Sequence, residues 1–160
     1  MISSVIVDIL RADIYIAARL TSFNGKPSVF TDVVPEGVSF PCITVRSMQI
    51  NIVNGTIQNF NVYVDFWDYN KIDSSREKGK EVAARVEELL DGYRYIGPHS
   101  RYSDIRFRYL SGYSATADEY DGIHYNCFIG ARACRKKWLD ALDVTTTEIS
   151  TTTEMPTTTE

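Results

Sequence analysis

The residues of this 160-residue chain that could do chemistry are two histidines, three cysteines and a scatter of carboxylates. Neither His99 nor His124 has a second histidine at helical metal spacing, so no zinc motif begins at either. His124 falls beside Asp121 and Asn126 on a strand, opposite the core set. That position suits a general base or a hydrogen-bonded interface histidine, and no nucleophile supports the first reading. Cys127 lies on the other face of the same strand, so Cys127 and His124 cannot form a dyad. Glu87, Glu88 and Asp91 gather at a helix end, where carboxylates are ordinarily solvated. There is no GxSxG and no Gly-rich loop ahead of a helix, and Gly79 is a lone glycine. The sequence therefore points to a protein that is not an enzyme and holds no cofactor or metal.

Charge offers a different chemistry. Arg106 and Arg108, with Arg101 and Arg132, would make a basic stripe if their two strands pair. Such a stripe suits a partner's acidic surface or passing DNA; equally, it is what the solvent face of an antiparallel sheet looks like. The net charge of −4 argues against a strong positive field. Glu148, Glu154 and Glu160 account for three of the 21 acidic residues, leaving 18 against 17 basic groups in the body. Cys42, Cys127 and Cys134 are odd in number, which fits a reducing compartment, and no signal peptide or membrane span is visible.

The elements that must position these groups follow from periodicity. Val5, Ile6, Ile9, Leu10, Ile14, Ala17 and Leu20 predict a helix over 4–22, capped by Ser3 or Ser4 and ended by Asn24-Gly25. Val29 to Val33 is a short extended segment. Pro35-Glu36-Gly37 makes a turn, Pro41 starts the next residues extended, and Cys42 to Ile50 is a strand. Asn54-Gly55 signals a hairpin. In the following strand Phe60, Val62, Val64 and Phe66 face one side, with Asn59, Asn61, Tyr63, Asp65 and Trp67 on the other.

Ser74 and Glu77 form a capping box for a second helix, with Val82, Val86, Leu89 and Leu90 as its apolar stripe. Glu81 and Arg85 are an i,i+4 pair, and Gly92 is the stop. Beyond Gly97-Pro98, Ile105, Phe107 and Tyr109 oppose Arg106 and Arg108. A connection over 111–121 leads to a last strand that alternates Ile123, Tyr125, Cys127, Ile129, Ala131 and Ala133 against His124, Asn126, Phe128 and Arg132. The expected fold is α+β, an antiparallel sheet with two helices on one face in the order α-β-β-β-α-β-β. Residues 1–143 form that domain.

Residues 144–160 are different in kind. A Thr-Thr-Thr-Glu unit recurs every six residues and cannot build a core. In an extended arm the glutamates share one face, while Ile149 and Met155 lie on the other. Fully extended, the arm reaches roughly 50 Å.

The amphipathic first helix, Asp32, Pro35, Gly37 and Pro41 leading into Cys42-Ile43-Thr44-Val45, the Val62 to Trp67 strand running into the second helix, and the entry Asp121-Gly122-Ile123-His124-Tyr125 together carry a resemblance. Over roughly residues 5–135 the chain resembles the tail-completion, or tail-terminator, proteins of long-tailed bacteriophages. The resemblance implies a structural virion protein, made in the host cytoplasm, that forms a hexameric ring at the head-proximal end of the tail tube. Its implied partners are copies of itself, the tail tube protein and a head completion or stopper protein, with DNA crossing the lumen and no membrane. Candidate interface residues are Asn54, Gly55, Tyr63, Trp67, Arg106, Arg108, Phe128, Arg132, Ile149 and Met155. The arm departs from the family pattern; it is either a strand added to the exposed sheet edge of a neighbouring subunit or a partner protein, or a decoration. Another neck ring (adaptor or stopper) and a cellular non-catalytic binding module are the other readings.

Overall fold

The computed structural model describes residues 2–69, 72–98, 101–115 and 123–136, leaving the side chains of 71–75 and 113–115 outside that description. It opens with two helical pieces, α1 (Ile2–Ala12) and α2 (Ile14–Ala17). Asp13 separates them: its backbone is extended, and its side chain accepts a hydrogen bond from the Ile16 amide, so it caps α2. Arg85 holds the same carboxylate through Nε and Nη2 at 3.1 and 2.8 Å. The single helix expected over 4–22 is therefore broken, and the break shifts its phase. Ile14 is exposed, and Ile16 takes the core position instead. Ser3 and Ser4 lie inside α1 rather than at its cap. Asn24 and Gly25 both adopt positive φ and turn a small hairpin between β1 (Ser22–Phe23) and β2 (Lys26–Pro27), instead of ending a helix.

The main sheet has six strands. In chain order they are β3 (Val29–Thr31), β4 (Cys42–Val53), β5 (Ile57–Asp68), β6 (Arg94–Tyr95), β7 (Tyr102–Ala115) and β8 (Ile123–Arg135), with α3 (Ile72–Leu90) between β5 and β6. Their spatial order is β3-β4-β5-β8-β7-β6. The sheet is mostly antiparallel; β3 alone runs parallel to its neighbour β4. The mixed α+β class matches the sequence reading, while the parallel β3 does not. The connection over 32–41 carries the chain back to the starting end of the sheet, and Gly37 turns there at positive φ.

Asn54 and Gly55, both at positive φ, close the β4–β5 hairpin. Gly92 adopts positive φ two residues beyond α3. Helix α3 starts at Ile72, so Ser74 falls inside it, and the side chain of Ser74 is outside the description. Glu81 pairs with Arg19 at 2.8 Å, and Arg85 pairs with Asp13 and Glu88, so the expected Glu81–Arg85 pair does not form. Strand β7 continues through Ala115, into the segment expected to be a connection.

One hydrophobic cluster joins the helices to the sheet. Ile6 and Leu10 of α1 and Val82, Val86 and Leu90 of α3 meet Ile43, Val45, Val62, Val64, Phe107 and Ile129. Alternation along each strand sends the intervening side chains to the opposite face, and that face holds the features of interest.

A candidate docking face

Strand register arranges the helix-free face in rows across the sheet. At one end, Cys42, Trp67 and His124 form a row, followed by Thr44, Asp65 and Asn126, then by Arg46, Tyr63 and Phe128. Toward the hairpin the rows become Met48, Asn61, Gly130 and Arg108, then Asn51, Asn59, Arg132, Arg106 and Arg94. Directly opposed residues share a face and touch, so each row is a unit of interaction.

The first three rows centre on Asp65, whose side chain is wholly buried. His124 Nε2 lies 2.7 Å from Oδ1, Asn126 donates to the same oxygen, and Arg46 donates to Oδ2 at 2.9 Å. Burial pushes the Asp65 carboxyl up, but the hydrogen bonds from His124, Asn126 and Arg46 outweigh it and hold the group below the usual carboxylate range. Rings cover this centre. Trp67 stacks on the His124 ring at 4.0 Å and 2°, and its indole N–H donates to Thr44 Oγ1 at 3.0 Å. Tyr63 stacks on Phe128 at 5.2 Å. His124 is thus a structural partner of Asp65, and Cys127 lies in the core behind it. Burial pushes the Cys127 thiol up to about 12, and does the same to Cys42. Neither is a nucleophile at neutral pH.

The remaining rows form a shallow depression of about 530 Å³, with Gly130 among its lining residues and Ile50 and Leu110 beside it. Arg106 and Arg132 stand directly opposite one another across β7 and β8, and Arg94 opposes Arg106 on β6. Asp104 neutralises part of this charge: Arg94 grips it with bonds of 3.0 and 2.9 Å, and Arg106 approaches it at 3.6 Å. Among the described residues, Arg108 and Arg132 form no ion pair, so the depression keeps a positive character. No group of three metal-ligating side chains occurs among the described residues.

The sequence-predicted residues therefore divide. Tyr63, Trp67, Phe128, Arg106, Arg108 and Arg132 share one face. Asn54 and Gly55 lie at the hairpin tip at its margin. Arg101 is exposed just ahead of β7. Ile149 and Met155 lie outside the described residues, as does His99. Sequence reasoning missed Asp65 as the hub of the face. The available signal was a carboxylate set between Tyr63 and Trp67 in the most regular strand of the chain.

The fold recurs in a known particle. A chain in a solved structure described as the virion of a native gene transfer agent particle shares it, with a TM-score of 0.60 over 81% of this chain and 91% of that one, at 17% identity. No curated protein matches in sequence. Residues 5–114 match the family described as tail completion protein gp17, and the chain belongs to that family. It is a structural component of a phage-type virion.

Proposed function

We propose that the protein forms a ring, of six copies, at the head-proximal end of the tail tube. There it ends tube polymerisation and presents the joint to the head completion or stopper protein, with DNA crossing the lumen. Membership of the tail-completion family over residues 5–114 carries this reading. The helix-free face supports it: its polar groups are spent on one another around Asp65, leaving a paved surface rather than a converged reactive centre. The protein acts by shape and occupancy, without catalysis. Residues 144–160 serve assembly rather than folding.

Electron microscopy of virions lacking the protein tests the reading. Normal heads beside unattached, overlong tails are expected. DNA-leaking heads beside finished tails would make the protein a head-side stopper instead.

A further inference from the structure

Among the described residues, the sheet is left open along part of each of its sides. Strand β3 pairs with β4 only at Ile43, Thr44 and Val45, so no strand among the described residues flanks β4 from Arg46 to Val53. On the other side, β6 and its flanking turn bond to β7 from Ile105 to Tyr109, so none flanks β7 from Leu110 to Ala115. Exposed strand edges are ordinarily blunted by Lys, Glu or Pro. Here Ser47 to Val53 and Leu110 to Ala115 contain no charged residue and no proline. Each free segment contains one register irregularity, and the residue passed over there is an exposed aliphatic in both cases: Ile50 at 54% and Leu110 at 47%. Met48 and Ile52 extend the apolar character of the β4 edge.

From these two edges we infer that the subunits join sheet to sheet, the β4 edge of one copy receiving the β7 edge of the next. The inference rests on the ring reading and specifies its contact. A second copy is the favoured occupant because the complementary edge exists in this same chain. Strand direction agrees: β4, β5, β8 and β7 alternate, so β7 followed by the next β4 continues the antiparallel order. The two edges are different surfaces, so the contact is head-to-tail and closes into a ring when its rotation allows. The free segments also sit at opposite ends of the sheet. Arg46 is level with Ser111 across Tyr63 and Phe128, and Val53 is level with Asp104 across Ile57 and Cys134. Pairing them displaces each copy by about five residues, roughly 17 Å, along the strands. Closed barrels of tilted strands likewise require a stagger between neighbouring strands.

The test uses the full chain assembled into particles. Ile50→Cys and Ser111→Cys are combined in a Cys134→Ser background, with Met48→Cys and Ile52→Cys in place of Ile50→Cys to scan the register. Mild oxidation of a double variant is expected to give a ladder of covalent multimers on a non-reducing gel, with single variants remaining monomeric. Ile50→Lys is expected to abolish the ring layer while leaving the melting temperature of the isolated protein unchanged. A visible ring with no ladder from any pair would overturn the edge contact and leave the ring standing; so would an intact ring in Ile50→Lys particles. A neck with no layer of multiple copies would overturn both.

Discussion

Replacing Asp65 by Ala removes the acceptor for three donors whose fates differ. The Arg46 side chain is 52% exposed and recovers its hydrogen bond from water, so its share is small, about 0–1 kcal/mol. Asn126 is 2% exposed, and its amide loses its partner inside the protein, which costs about 1–3 kcal/mol. His124 is partly exposed and pinned under Trp67, and loses a charge-assisted bond of about 1 kcal/mol. The sum is about 3 kcal/mol, the low end of what breaking a buried ionic centre costs. For a chain of this size that lowers the melting temperature by about 6–12 °C. The dependence on pH has a definite sign. Asp65 has a lowered folded-state pKa, so its contribution is fully present above the unfolded value of about 3.9 and disappears as pH falls through the folded value. Thermal unfolding followed by circular dichroism should show the full gap between parent and Asp65→Ala at neutral pH, closing below about pH 4. A variant within about 2 °C of the parent at neutral pH, or a gap that ignores acid, would refute the reasoning.

Other outcomes follow from packing. A Cβ on Gly79 would lie 3.2 Å from Tyr125 Cδ2 and 3.3 Å from its Cβ, so the helix gain of Gly79→Ala, about 1 kcal/mol, should be largely cancelled, whereas Gly79→Leu should cost about 1–3 kcal/mol in a denaturant titration. Asp13→Ala should lose about 1–2 kcal/mol through the missing cap, with Arg85→Gln losing less because that guanidinium is partly solvated. Thiol titration of the native protein should find Cys134 reacting fast and Cys42 and Cys127 only after denaturation, since burial holds both of the latter near 12. Truncation after Asp143 should leave the melting temperature of the isolated protein unchanged and weaken its incorporation into particles; a large drop in melting temperature would assign residues 144–160 to the fold.

Periodicity made the strands legible. Phe60 to Trp67 and Ile123 to Ala133 fall on the faces their alternation predicts, and Asn54-Gly55 turns where its sequence says it should. Features set by distant partners were not legible. Nothing local distinguishes Asp13 from another helical surface residue until Arg85, 72 positions away, fixes its carboxylate. The parallel β3 is three residues long, too short for a pattern to show direction. Asp65 reads as one more polar residue on a solvent face, because the Asn126, His124 and Arg46 that enclose it come from two other strands. The arginine row is visible as residue types. Its partial neutralisation by Asp104 depends on the short β6, which brings Arg94 alongside.

Strand β8 lies late in the chain and in the middle of the sheet, between β5 and β7. Until residues through Arg135 have left the ribosome, β5 and β7 have no common neighbour and the row of groups around Asp65 lacks both His124 and Asn126. A product that ends before β8 is therefore an open sheet with two additional unpaired margins. The topology thus makes the integrity of the whole sheet depend on one of its last elements.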